Sequence, residues 1–270
     1  MSYLVFIVSV GLLALLGAGG PLHRDTWLEA LDRRIDAIEV GVWVSLCMRI
    51  FAPLFMAGIA LTVTQLFLGD FAQALIGVLL LYFSWGRGDY PTELQRFLAR
   101  ARVGDSVGAG AFLDLSNSEP TAIAAWETEA LAHFTYRGYA RWFPPVLYFC
   151  LLGPFAAAAY RLVVLANARS GGRFDDAQNL LEWLPSRLVI LTFAVLGDFD
   201  STRRLVTANE VDGEVSVKAL LAEGVERAWH LDESELQGVD KTIAAVETTA
   251  KAINRSCAVW VILISLAALL

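Results

Sequence analysis

The chain has 270 residues, 56% of them hydrophobic and 18% charged, with a mean hydropathy of +0.54. That is more apolar surface than a soluble domain can bury, yet too much charge for a chain wholly in lipid, so the composition points to a protein about half membrane and half aqueous. A formal net charge of −7 leaves no basic surface for phosphate backbones and excludes nucleic acid as an expected partner.

Taken in chain order, residues 3–20 form an apolar stretch with no basic residues before it, which reads as a retained first membrane helix rather than a signal peptide. Residues 42–68 and 71–85 follow, separated only by Gly69 and Asp70, and predict an antiparallel helical hairpin. Residues 142–166 read as a fourth span, in which Pro144, Pro145 and Pro154 allow kinks and Gly153 allows close packing. Residues 184–197 are apolar for about a dozen positions and predict a short or re-entrant segment. The final apolar stretch, 257–270, continues a helical pattern that begins near Ala244, so one long helix is expected, wet at its start and in lipid at its end.

Arginines and lysines favour the cytoplasmic side of a membrane. Arg24, Arg33 and Arg34 in the first loop, and Arg87, Arg96, Arg100, Arg102, Arg137 and Arg141 in the third, place those loops inside. Residues 199–256 carry seven further basic residues and join them only if 184–197 crosses, at the cost of leaving Arg169 and Arg173 outside. The main loops, 87–141 and 199–256, are then cytoplasmic in a multi-pass protein.

These wet segments also read as helices. Thr92 after Pro91 is a capping signal, followed by Leu94, Phe97, Leu98 and Ala101 on one stripe with Glu93, Arg96 and Arg100 facing away. Residues 104–110 (GDSVGAG) break that pattern. It resumes over 118–141 through Ile123, Trp126, Ala130, Leu131 and Phe134, and again over 215–231. With no alternating strand pattern anywhere, the expected fold class is all-α: a polytopic integral membrane protein with amphipathic cytoplasmic helices.

Motifs for chemistry are sparse. Cys47, Cys150 and Cys257 lie far apart in apolar helices, which favours buried reduced thiols over a disulfide framework or metal site, and His23, His133 and His230 have no ligand at metal spacing. No phosphate-cradling GxxxxGK[ST] loop is present, and no cofactor is expected.

What remains is charge at membrane ends. Arg87 and Asp89 follow the third apolar helix in GRGDY, Glu127 and Glu129 precede the fourth, Arg161 lies near its far end, and Arg187 opens the short one. Each can be an interfacial side chain with a solvated partner. The sharper reading brings Arg87, Asp89, Glu129 and Arg141 together at a cytoplasmic mouth for an anionic ligand, since Arg offers a planar fork to carboxylate or phosphate. Arg161 and Arg187 complete the candidate set. Arg49 is the charge nearest mid-depth in a span, where a transporter would place a coupling site, though it also fits the inner end of its helix.

WGRGDY at 85–90, the segment from Glu129 to Trp142, LLGPFAAAAYRLV at 151–163, LEWLPSRLVILTFAVLG at 181–197 and a last membrane helix together resemble the AmpE family of bacterial inner-membrane proteins. The resemblance is best over 82–197 and implies a multi-pass protein of the cytoplasmic membrane that modulates β-lactamase induction in a circuit sensing peptidoglycan recycling. It implies a non-enzymatic regulator whose partners are the bilayer and either a small anionic, muropeptide-like ligand or a membrane protein. That family is similar in turn to the CobD/CbiB proteins of cobalamin synthesis, in which a segment like E-S-x-A-E-N-x-x-D-G precedes the GP…AY helix. Here Glu129 matches the first acid, while His133, Phe134 and Arg137 stand where the second acid, the amide and the Asp are usual. An amide-forming membrane enzyme, with Glu129 and Asp89 holding a metal or activating an amine, is the alternative.

Overall fold

The computed structural model describes residues 2–16, 26–86, 88–113, 126–206, 216–233 and 235–269. They form α1 (Ser2–Leu16), α2 (Thr26–Asp36), α3 (Val42–Leu68), α4 (Phe71–Ser84), α5 (Tyr90–Arg102), α6 (Ser106–Gly110), α7 (Glu127–Leu152), α8 (Pro154–Arg169), α9 (Asp175–Leu196), α10 (Phe199–Val206), α11 (Val217–Ala228) and α12 (Gly238–Leu269), with no strand among the described residues. The fold is all-α and consistent with a membrane protein.

Among the described residues three helices are long and apolar enough to cross a membrane: Val42–Leu68, Asp175–Leu196 and Gly238–Ala268. In α3 the usual burial pattern is inverted, since it buries Ser45, Leu46 and Arg49 and exposes Phe51, Phe55, Met56, Leu66 and Phe67. Such an apolar outer face is unfavourable in water and natural in lipid.

Two compact units are present, residues 1–88 with 141–182 and residues 89–140 with 183–270. In the first, α1 packs on α4, and α3 and α4 pack on each other and on α8, while amphipathic α2 lies on α3 with Leu28 and Ile35 inward. Phe6 of α1, fully buried, meets the rings of Trp142 and Phe149 at 6.5 and 6.3 Å. In the second unit α5 packs on α6 and α12, and α11 on α10 and α12. Phe97 and Phe134 meet there at 5.0 Å.

Several local features differ from expectation. The run at 142–166 is not one helix: α7 ends at Leu152, Gly153 adopts φ 87°, and α8 starts at Pro154. Tyr148 and Tyr160 stack with centroids 5.8 Å apart, whereas twelve residues of straight helix would separate them by about 18 Å. The chain therefore folds back on itself at Gly153. Nothing lies within 4 Å of the position of a Cβ there, so this glycine serves the positive φ and not close packing. The apolar stretch at 184–197 is the later part of α9, which starts at Asp175, because the acids and amides of its first turns point into the first unit.

Helix α5 starts before Thr92, with Asp89 at the cap position and Pro91 in the first turn, where a missing N–H costs nothing. The GDSVGAG segment is no simple break: Asp105 accepts the Gly108 N–H at 2.8 Å and nucleates α6. All three cysteines are free, but Cys47 and Cys150 are exposed rather than buried, because they sit on outward apolar faces. The helical pattern expected before residue 126 lies outside the described residues.

Candidate functional site

A polar constellation lies in the first unit, around Arg49, which the sequence raised only as a mid-depth charge, and around acids and amides outside the candidate set. Asp32 and Asp36, one turn apart on α2, face Arg49 of α3. The Arg49 guanidinium donates to Asp32 at 2.8 Å, to Asp36 at 2.5 Å and through Nε to the Ser45 hydroxyl at 3.3 Å. It is 5% exposed and lies 5.8 Å over the Phe174 ring. The other oxygen of Asp32 accepts from Arg169 of α8 at 3.2 Å.

From Phe174 the seam continues between α8 and α9. The Phe174 N–H donates to the Asn167 side-chain Oδ1 at 2.8 Å, and the Asn167 side-chain Nδ2 donates to Asp175 at 2.7 Å and to Gln178 at 2.9 Å. Gln178 and the Tyr160 hydroxyl each donate to Glu182 at 2.9 Å, and Glu182 is 1% exposed. Tyr148, stacked on Tyr160, donates to the Leu181 carbonyl at 2.7 Å. One signal was available: an acid pair at i, i+4 shortly before a lone arginine in an apolar run. Glu182 gave none, since sequence does not place Tyr160 beside it.

Of the candidate residues, Arg141 of α7 and Arg161 of α8 come to the loop between α4 and α5; Arg161, expected at the far end of a single fourth span, is brought back by the reversal at Gly153. Arg141 donates through Nη1 to the Gly88 carbonyl. The Arg161 guanidinium lies against Gly86, where a Cβ would stand 2.6 Å from Cζ. Gly86 and Gly88 have φ of 69° and 118°, so the W-G-x-G pattern supplies backbone that other residues rarely adopt. Trp85 stacks on Trp142 at 5.3 Å with planes 6° apart and anchors the loop. Arg87, at the loop centre, lies outside the described residues.

Asp89, Glu129 and Arg187 belong to the second unit, each with its own neighbours. Asp89 accepts from the Thr92 hydroxyl, Glu129 pairs with Lys218 at 2.5 Å, and Arg187, 7% exposed, stands 5.9 Å over the Trp183 ring. Further ion pairs tie α7 to its neighbours: Glu127 to Lys241 of α12 at 3.2 Å and Arg137 to Glu93 of α5 at 2.8 Å. A cavity of about 420 Å³ is lined by Glu127, Glu129, Lys218, Glu223 and Glu226. Burial, with Asp232 and Glu127 nearby, raises the Glu226 carboxyl above its ordinary range.

Chemically, Arg141 of α7 and Arg161 of α8 bring two guanidinium groups to the backbone of one loop, and the seam holds hydrogen-bonded carboxylates. Among the described residues no group of three or more His, Cys, Asp or Glu is placed to hold a metal. Compared with known proteins, the chain matches no family model, no curated protein and no solved structure.

Proposed function

We propose that this chain is a non-enzymatic regulatory protein of the bacterial inner membrane, of the AmpE type, which modulates β-lactamase induction linked to peptidoglycan recycling. The observation that carries the reading is the W-G-x-G loop held by Arg141 and Arg161. An anionic, muropeptide-like ligand competes for those guanidinium donors, and the loop passes directly into α5 through Asp89. Ligand occupancy is thereby transmitted to the start of a cytoplasmic helix and to whatever membrane partner reads it.

The cobalamin-type alternative is less well supported, because it needs Glu129 and Asp89 to hold a metal or activate an amine. Glu129 is engaged by the Lys218 ammonium and Asp89 by the Thr92 hydroxyl.

The test is β-lactamase induction in cells carrying Arg141→Ala or Asp89→Ala at unchanged protein level. The expected outcome is a loss of inducer response of several fold with either variant. Wild-type induction in both would defeat the loop as the responsive element, and rescue of a cobalamin-synthase-deficient host would defeat the regulatory reading itself.

A further inference from the structure

Helix α12 carries a surface of a different kind, in the second unit and independent of the loop after α4. It runs unbroken from Gly238 to Leu269. The face it buries fixes its rotation: Ala245, Val246, Ala252, Ile253, Ser256 and Trp260 lie inward, with the Trp260 indole donating to the Thr192 hydroxyl at 3.1 Å.

The opposite face changes chemistry along the helix. Lys251, Arg255, Ala258, Ile262 and Leu266 follow one another at spacings of three or four residues, which places them on one stripe, and all of them are exposed. The first two are cations, while Ile262 and Leu266, 57% and 54% exposed, are large and apolar. Glu247, one turn before Lys251, is paired with Arg102 of α5 at 2.6 Å, so its charge is already answered. Among the described residues Lys251 and Arg255 have no such partner.

Because one helix carries both parts of the stripe, their levels are set by its rise. From Arg255 to Leu266 that rise is about 16 Å, close to half of a ~30 Å hydrocarbon core. The stripe therefore has the dimensions of one leaflet, with cations at headgroup level and an apolar track along the chain region. Helical side chains lean toward the N-terminus, so both cations reach to the wet side and away from that track. An apolar face alone would suit any lipid, whereas a pair of unanswered cations at its head selects for negative charge.

We infer that this stripe seats an anionic phospholipid of the bilayer that α12 enters, its phosphate on Lys251 and Arg255 and one acyl chain along Ala258, Ile262 and Leu266. Two cations one turn apart complement a single phosphate, and neither has to give up another partner to reach it. A zwitterionic lipid meets the same apolar track but brings its own cation beside Lys251 and Arg255 and is held less well.

The test is native mass spectrometry of the full chain released from detergent, with phosphatidylglycerol or phosphatidylcholine of identical acyl chains added. Retention of the anionic lipid is expected at roughly tenfold lower concentration, the discrimination that two cations at a membrane surface supply after screening. Lys251→Gln/Arg255→Gln should bring the two lipids together, and Arg255→Gln alone should leave a preference of about threefold. Lys251→Arg/Arg255→Lys, which keeps both charges, should keep the preference. So should Arg203→Gln/Arg227→Gln, which removes two charges from exposed ion pairs elsewhere in the same unit. Far-ultraviolet circular dichroism separates loss of binding from loss of fold, and the Arg255→Gln variant decides if the double glutamine variant does not fold. Equal retention of the two lipids by the wild type would overturn the proposal, as would an undiminished preference in the folded glutamine variants of Lys251 and Arg255. An equal loss in Arg203→Gln/Arg227→Gln would overturn it by tracing the preference to net charge. A lipid-free dimer in place of the lipid-bound monomer would assign the stripe to a second copy of this chain and overturn it too.

Discussion

Arg49 shows what one residue does in this fold. Its charge is removed from water but answered by Asp32 and Asp36, so the penalty of burial is offset only while the partners remain. Arg49→Leu is expected to destabilise the first unit by about 3–5 kcal/mol, toward the lower end because Asp32 keeps Arg169. Asp36→Asn should cost under about 1 kcal/mol, since Asp36 is 57% exposed. Thermal unfolding in detergent distinguishes the two. Glu226 presents the opposite balance: its charged form is disfavoured by burial and by Asp232 and Glu127, so the folded-state pKa is raised above 4.5. Such a group contributes stability that is fully present below the unfolded pKa and is lost as pH rises through the folded value. Glu226→Gln is therefore expected to raise stability slightly at pH 7, by less than about 1 kcal/mol after screening, and the melting temperature with it, the gain vanishing below about pH 4. A melting profile that shifts equally at both pH values would contradict this.

At the scale of elements, two glycines do different jobs. Gly153 turns the chain between α7 and α8 at φ 87° with open space around it, so Gly153→Ala carries only the backbone strain of about 1–2 kcal/mol. At Gly197, between α9 and α10, a Cβ would stand 2.2 Å from the Ala228 carbonyl oxygen, which also accepts the Asp198 N–H at 2.9 Å. Gly197→Ala must push two backbone segments apart and is expected to cost about 3 kcal/mol or more. The order of the two melting temperatures checks the assignment. Apolar periodicity and length revealed α3 and α4 to within a residue, and the apolar end of α12, whose start at Gly238 lies six residues before the expected Ala244. The α7–α8 hairpin was hidden, because a glycine amid apolar residues reads equally as a packing notch or a turn, and only a long-range contact such as Tyr148 on Tyr160 separates the two.

At the scale of the whole molecule, composition alone was enough to indicate a membrane protein. A 56% hydrophobic chain cannot hide its apolar side chains, and α3 and α12 display theirs on the outside. Charge at the ends of apolar runs nominated Arg141 and Arg161 at opposite ends of one span, whereas both meet the loop after α4. It was not enough to say which charges face which. Asp89 and Glu129 stand in a different compact unit from Arg141, and a polar seam runs through Arg49, Asn167 and Glu182, of which only Arg49 and its acid pair carry a local signal. The sequence by itself determined the all-α class and the apolar helices, because hydrophobic length and period are local properties. Only the tertiary structure decided where Gly153 reverses the chain and which carboxylates answer which arginines, because those depend on residues far apart in sequence being brought within hydrogen-bond reach.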